Sequence, residues 1–249
     1  VLFIPASRAF FSIIQNFTFS LLENGSGLDA YIVDYGSACE LSRYIGREDS
    51  RNKIEAAKYL TGAFKSLIQG EYSFEDGQHF IVKDGVQTSL TKASSAQQEL
   101  VPMLWGLSVF ALPTGESGVP RVCFIEEPEA HLFPDAQAKV MGVLSEMFNQ
   151  HPLGCFITTH SPYCISTMNN FILAADLVES GKLSEEGAMK ILGYGRPIKF
   201  EDVEAYYVNE GTVRSIKDAE YRLIVADELD AVSNHVDDVM TSLLEAGRD

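Results

Sequence analysis

The chain has 249 residues, of which 46% are hydrophobic and 22% are charged, and its formal net charge is −16. This composition is typical of a soluble globular protein with one large domain or two small ones. The negative charge excludes a strong general attraction to nucleic acid or anionic membranes, so DNA contact would need a local basic patch or a partner chain. No apolar run approaches the ~18 residues that span a bilayer. The four cysteines form no CxxC pair, so we expect a reducing, cytoplasmic location.

The first part of the chain is predicted to be mainly helical after one short strand. Residues 1–5 form an apolar run that is typical of a buried strand. Apolar residues then recur at helical spacing, with charged faces, as far as Gly70. We therefore expect an inserted helical segment over 9–70. Alternating residues over 80–90, on both sides of an Asp-Gly pair, predict a β-hairpin.

A strand–helix–strand pattern lies in the middle of the chain, at residues 122–126, 134–149 and 154–160, after a predicted helix over 94–112. Both strands are apolar without polar alternation, which is typical of parallel strands buried on both faces. The crossover has the length of a right-handed βαβ unit. The sequence therefore predicts an α/β fold in which helices flank a mostly parallel sheet.

The C-terminal part, residues 166–249, is predicted to contain helices and one hairpin. A helix begins near Ser161, and a short helix over 184–193 ends at a glycine. Alternating residues over 203–216 predict a hairpin around a Glu-Gly pair. Apolar residues at helical spacing over 221–246 predict a final amphipathic helix.

Two carboxylates and an imidazole stand where the two central strands end. Glu126 and Glu127 close the first strand and His160 closes the second, at the sheet edge where ligands bind. Pro128 is expected to force a turn that brings both carboxylates to one crevice. Adjacent carboxylates repel each other unless a cation lies between them, and Mg²⁺ prefers oxygen ligands. One carboxylate would then bind the metal, and the other would orient or deprotonate a water.

A second polar segment, TKASSAQQE at residues 91–99, leads into the helix over 94–112. A serine at the start and Glu99 a turn later suggest a capping pattern. A helix N-terminus with small side chains also attracts anions, because free backbone N–H groups and the helix dipole favour negative charge.

Three segments in this order carry a family resemblance: ASSAQQ at 93–98, VCFIEEPEAHLFP at 122–134 and FITTHSPY at 156–163. They resemble the signature motif, the Walker B motif and the switch histidine of ABC-class ATPases. Within that class, the residues of these motifs are similar to those of the soluble AAA-named group that includes OLD-type and SMC/RecF-like ATPases. The resemblance covers residues 90–165, and more loosely 3–8 and the C-terminal helix. It implies the C-terminal lobe of an ATPase head with a P-loop NTPase fold.

The resemblance implies a role for each matching side chain. Glu126 matches the Walker B acid that is linked to magnesium, although the family more often has aspartate there. Glu127 matches the catalytic glutamate that polarises the attacking water. His160 matches the switch histidine that contacts the γ-phosphate of ATP.

Two further segments match parts of the family that act across a dimer. The signature loop contacts the γ-phosphate of a nucleotide held by the opposite protomer, and its counterparts here are Ser94, Ser95, Ala96 and Gln97. Serine and alanine stand where transporters have glycines. The D-loop crosses the dimer interface, and its counterparts are Glu129, Ala130 and His131.

One motif of such ATPases is missing, because no GxxxxGK[ST] occurs in the 249 residues. The only Gly-Lys pair, Gly181-Lys182, is followed by Leu183 and lacks the upstream glycine. In the family, this phosphate loop lies N-terminal to the motifs above. Since the chain also starts without methionine, we expect a fragment whose N-terminal lobe is absent and which is inactive when isolated.

The implied function of the parent protein is magnesium-dependent ATP hydrolysis by a head-to-tail dimer that sandwiches ATP. Relatives of this kind act on DNA or control a nuclease, including in phage defence, so a DNA or nuclease partner is expected and a membrane is not. The alternative is a catalytically inactive regulatory or scaffolding module with the same fold.

Several residues also have purely structural interpretations. The two glutamates could be a solvated strand end, and the serines at 94–95 could only cap a helix. His160 could be a structural histidine, and Arg8 could bind a phosphate or simply form a salt bridge. A metalloprotease site is disfavoured, because His131 follows Glu127 without an HExxH pattern.

Overall fold

The computed structural model describes residues 1–9, 11, 30–45, 62, 65–75, 78–110, 121–150, 153–226, 239–240 and 243. They belong to two compact units, Val1–Thr159 and His160–Asp249. Much of the predicted insertion over 9–70 lies outside the described residues, and within it Ala30–Ile45 and residues 65–68 are helical. None of the helices in these ranges has the length and hydropathy needed to cross a membrane.

The first unit alternates strands and helices. In chain order its elements are β1 (Leu2–Ile4), α1 (Ala30–Ile45), β2 (Glu71–Glu75), β3 (Gln78–Lys83), β4 (Val86–Ser89), a 3-10 helix (Leu90–Lys92), α2 (Ser95–Phe110), β5 (Arg121–Glu126), α3 (Pro134–Gln150) and β6 (Leu153–Thr158). Strands β1, β5 and β6 form a parallel sheet in the order β1-β5-β6. Helices α1 and α2 contact β1, and α3 contacts β6. The predicted α/β fold is confirmed, and its architecture is consistent with a P-loop NTPase fold.

The two faces of the parallel sheet differ in exposure. Ile4, Cys123 and Ile125 are buried on one face, with at most 1% of their surface exposed. On the other face, Phe124 is 37% and Phe156 is 62% exposed, and their rings stack with centroids 4.8 Å apart. The prediction that the strands are buried on both faces is therefore wrong for this chain.

A second, antiparallel sheet has the order β2-β3-β4. Its β3–β4 hairpin confirms the predicted turn, because Asp84 and Gly85 both have positive φ angles of 51° and 77°, which suit a two-residue turn. Strand β2 adds a third strand that the sequence analysis does not predict, although its EYSFE pattern alternates in the way of a strand.

The continuously described part of the second unit, residues 160–226, contains two helices and short strands, and residues 239–240 and 243 are also helical. Its elements are α4 (Pro162–Glu179), α5 (Glu185–Leu192), a 3-10 helix (Phe200–Asp202), β7 (Tyr206–Asn209), β8 (Thr212–Ser215), β9 (Lys217–Asp218) and β10 (Leu223–Ile224). Antiparallel pairing of β7 with β8 confirms the predicted hairpin. Ser161 and Ser184 cap α4 and α5 with their side chains, and Gly193 ends α5.

The predicted amphipathic helix over 221–246 is wrong at its start. Leu223–Ile224 is strand β10, which pairs with β9 instead of continuing a helix. The side chain of Asn169 on α4 holds this strand, donating to the carbonyl of Ile224 at 2.9 Å and accepting from its N–H at 2.8 Å. Tertiary hydrogen bonds therefore override the helical spacing here, while residues 227–238 lie outside the described ranges.

Candidate active site

The carboxyl ends of β1 and β5 meet at Glu126, the last residue of β5. Its carboxylate Oε2 accepts a hydrogen bond of 3.0 Å from the backbone N–H of Ala6, which follows β1. Its partner in the register of β6 is Thr158. Glu126 is therefore anchored at the sheet edge where parallel α/β sheets bind ligands.

Glu127 leaves the strand in a left-handed conformation. Its φ angle is 42°, and its N–H donates to the carbonyl of Thr158 at 2.9 Å. Its own carbonyl accepts from the N–H of Ala130 at 2.9 Å and so closes a turn. We call residues 126–131 the carboxylate turn. Pro128 occupies the second position of this turn, where proline is favoured, so the predicted turn at Pro128 is confirmed. That the turn brings both carboxylates to one crevice stays a prediction.

Arg8 holds the carboxylate turn from inside the protein. Its side chain is fully buried. Its two Nη atoms donate to four backbone carbonyls at 3.3, 3.0, 3.0 and 3.3 Å, those of Pro5, Glu126, Glu127 and Pro128. Burial lowers the pKa of Arg8, and nearby acids, Glu99 first among them, offset part of that effect. The salt-bridge interpretation of Arg8 therefore fits better than phosphate binding.

Glu99 on α2 is the charged partner of Arg8. Its Oε2 lies 3.4 Å from Arg8 Nε, and its Oε1 lies 3.4 Å from Nδ1 of His131. The contact with Arg8 is an ion pair and not a hydrogen bond, because among the described residues neither Arg8 Nε nor Glu99 Oε2 has a hydrogen-bond partner. Only 2% of Glu99 is exposed. Burial raises its pKa, and Arg8 and His131 offset that rise only in part.

The cap of α2 is formed by Ser94 and Gln97, not by Glu99 as the sequence analysis expects. Ser94 Oγ accepts from the N–H of Gln97 at 3.3 Å, and Gln97 Oε1 accepts from the N–H of Ser94 at 3.1 Å. This reciprocal pair is a capping box. Gln97 Nε2 also donates to the carbonyl of Ile68 at 2.8 Å. Ser94 and Ser95 remain exposed at the helix N-terminus, with Ala96 next to them. The cap interpretation thus holds for Ser94, and the role of these residues toward a phosphate stays a prediction.

The end of the carboxylate turn leads into α3. Glu129 is 9% exposed and accepts a hydrogen bond of 2.6 Å from Oγ1 of Thr159. His131 has a φ angle of 60° and an exposed side chain. His131 contacts Glu99, and its function at a dimer interface stays a prediction.

His160 begins the second unit, and its side chain is exposed. Strand β6 ends at Thr158, two residues before the predicted strand end. The neighbouring Ser161 accepts from the N–H groups of Tyr163 and Cys164 and so starts α4. The expected approach of His160 to the two glutamates stays a prediction.

The donor set of the carboxylate turn suits magnesium and a phosphate substrate. Glu126 and Glu127 supply carboxylate oxygens, and Mg²⁺ is usually bound by one or two protein carboxylates while phosphates and waters complete the octahedron. Among the described residues, no three or more His, Cys, Asp or Glu side chains gather into a metal site of their own. Glu126, anchored at its Oε2, would be the protein ligand of such an ion.

Comparison with known proteins matches residues 38–165 to the AAA ATPase domain. The match includes α2, the carboxylate turn and β6. No curated protein matches the chain. Because the matched residues make up more than half of its 249 residues, the chain belongs to the AAA ATPase domain family, whose members bind and hydrolyse ATP.

Proposed function

We propose that this chain supplies the hydrolytic carboxylates of a magnesium-dependent ATPase. The observation that carries the proposal is the carboxylate turn, in which two adjacent glutamates leave a parallel strand at the sheet edge. Glu126 is anchored by the N–H of Ala6, and the backbone of Glu127 is held by Arg8 and Thr158. Such fixed geometry is what general-base catalysis requires.

In the proposed mechanism each glutamate has one role. Glu126 would hold Mg²⁺, and the ion would neutralise charge on the phosphates. Glu127 orients the attacking water and accepts its proton, which raises the nucleophilicity of the water oxygen. His160 contacts the γ-phosphate, as the family resemblance implies. The N-terminus of α2 offers backbone N–H groups and a positive dipole end to an anion.

The finer assignment follows the resemblance to ABC-type heads of the OLD and SMC/RecF kind. Two copies sandwich ATP, and Ser94, Ser95, Ala96 and Gln97 of one copy contact the γ-phosphate in the other. Hydrolysis opens the sandwich and drives a DNA-related or nuclease partner, with phage defence as one setting. The net charge of −16 disfavours this part of the protein as the main DNA-binding surface.

A phosphate-binding lobe outside these residues would complete the site. No GxxxxGK[ST] occurs in the chain, and without that loop ATP loses most of its phosphate contacts. The exposed pair of Phe124 and Phe156 supports this part of the proposal, because parallel sheets are normally covered on both faces. The missing loop is also compatible with a second candidate function, an inactive regulatory or scaffolding module, which it favours less than a fragment.

Substitution of Glu127 by glutamine in the full-length protein tests the proposal. The change keeps the shape of the side chain and removes the base, so we expect ATP binding to persist and kcat to fall on the order of 100- to 10,000-fold. Steady-state ATPase assays and nucleotide titrations measure the two effects. E185Q, at the exposed start of α5, is the matched control and should hydrolyse ATP normally.

Unchanged hydrolysis in E127Q would remove Glu127 from the mechanism. Undetectable hydrolysis by the wild-type full-length protein would favour the inactive module. We expect negligible turnover by the 249 residues alone, and robust turnover by them would refute the need for another lobe.

A further inference from the structure

We propose that Arg8 and Glu99 form a positioning pair that couples the first turn of α2 to the carboxylate turn. The functional meaning of this coupling rests on the proposed role of Glu127. The pair would link the helix N-terminus that meets a phosphate with the carboxylate that activates water. Neither residue touches substrate in this scheme. Arg8 acts through the carboxylate turn, and Glu99 acts through α2.

The burial of the pair is the first argument. The side chains of Arg8 and Glu99 are 0% and 3% exposed. Exposed ion pairs contribute little to structure, but removal of one partner from a buried pair leaves an uncompensated charge in the protein interior. The local structure around the pair must therefore respond when either partner changes.

The shape of the guanidinium is the second argument. Each Nη of Arg8 contacts two backbone carbonyls, so one planar group holds the first three carbonyls of the turn, those of residues 126–128, and ties them to the carbonyl of Pro5 after β1. A left-handed φ of 42° at a glutamate persists only where the surroundings determine it. Lysine keeps the charge but has no planar fork, so it cannot hold the four carbonyls in this way.

The position of Glu99 is the third argument. Glu99 lies on the same helix as the capping pair of Ser94 and Gln97, less than two turns from the cap. A helix transmits a shift of its first turn to the next. Glu99 would pass such a shift to Arg8 and, through its second carboxylate oxygen, to His131 of the carboxylate turn.

Amide hydrogen exchange tests the coupling without any assumption about catalysis. R8K removes the fork and keeps the charge, and E99Q removes the charge and keeps the shape. We expect both variants to accelerate exchange at least about tenfold at two places: the amides of Glu127 and Ala130 in the carboxylate turn, and the amide of Gln98, which donates to the carbonyl of Ser94 at 3.0 Å.

The control is K139Q, which breaks an exposed ion pair of 2.6 Å between Lys139 and Asp135 on α3. It should leave exchange at both places unchanged. Acceleration at only one of the two places in R8K and E99Q would overturn the coupling. Equal acceleration throughout α3 would also overturn it, since it would indicate general destabilisation. E99Q keeps a buried hydrogen-bonding side chain and serves if R8K does not fold.

Kinetics of the full-length protein then separate positioning from binding. We expect R8K and E99Q to lower kcat on the order of 10- to 100-fold, because small misplacements of a catalytic group have effects of this size, while the Kd for ATP stays unchanged. Normal kcat in both variants would overturn the positioning role. Normal hydrolysis by E127Q would instead refute the proposed function, and the exchange result would still decide whether the two turns are coupled.

Discussion

At the scale of single residues, strain and buried charge gather around the carboxylate turn. Glu127 and His131 have φ angles of 42° and 60°, in a region that costs a non-glycine residue about 1–3 kcal/mol. Arg8 and Glu99 are buried beside them. Strained residues and buried charges both need support from their neighbours. The conformation of this turn therefore depends on its contacts with Arg8 and Glu99, and a substitution that leaves those contacts intact should not change it.

The pH dependence of stability should reveal the burial of Glu99. Because burial raises its pKa above the ordinary value of 4.5, the folded protein binds this proton more tightly than the unfolded chain does. The resulting stability is fully present below the ordinary pKa and is lost as pH rises through the raised one. We therefore expect the free energy of unfolding of the wild type, relative to E99Q, to fall as pH rises above 4.5.

Chemical denaturation at several pH values, together with a carbon-13 NMR titration of the Glu99 carboxyl, measures this effect. A wild-type advantage that grows with pH would show that Arg8 lowers the pKa of Glu99 more than burial raises it.

At the scale of elements, α1 and α2 pack against each other where α2 has a glycine. A Cβ at Gly106 would lie 2.8 Å from Cε2 of Tyr35 on α1. Tyr35 is 1% exposed, and its ring meets Phe11 edge-on with centroids 4.8 Å apart. The ring therefore has little room to move, and the close approach of the two helices requires glycine at this position.

Replacing Gly106 with alanine should consequently destabilise the protein. Alanine favours a helix by about 1 kcal/mol over glycine, but overpacking a core costs about 1–3 kcal/mol, so we expect a net loss on the order of 1 kcal/mol. Urea denaturation measures it. The control is G62A, since a Cβ on the exposed, helical Gly62 would meet nothing within 4 Å. This substitution should therefore raise the free energy of unfolding. Equal effects at both sites would contradict the packing argument.

At the scale of the whole molecule, the two faces of the parallel sheet differ in exposure, and among the described residues the face that carries Ile4, Cys123 and Ile125 is the buried one. Phe124 and Phe156 form an exposed aromatic pair on the other face. In the proposed function, a lobe that carries the phosphate loop covers this face. Loss of one of these aromatic rings should therefore lower the free energy of unfolding by different amounts in the 249-residue chain and in the full-length protein.

Phe156→Thr measures this difference. In the 249-residue chain we expect a loss of about 1 kcal/mol in the free energy of unfolding, the contribution of the ring pair. In the full-length protein we expect about 3 kcal/mol or more, as for a buried phenylalanine. Thermal and chemical unfolding of both proteins provide the values, with V208T on the exposed hairpin as control. Equal losses in both proteins would show that the face stays uncovered.

Local patterns predicted most of the elements correctly. The β5–α3–β6 unit and the two hairpins depend on apolar runs and turn residues that are close in sequence. Strand β10 was mispredicted because side-chain hydrogen bonds from Asn169, 55 residues away, outweigh the helical spacing around it. Glu99 was misassigned as a cap because the capping geometry reaches only three residues, from Ser94 to Gln97.

The sequence by itself determined the parallel strands, the acids at their ends and the helix start at Ser94, because each depends on residue type and short spacing. Only the tertiary structure decided how the acids are held. Arg8 bonds to the carbonyl of Glu127 across 119 positions of chain, and Glu99 reaches Arg8 from a helix between them. Such contacts form only when packing brings distant residues together and removes water, and no local pattern records that outcome.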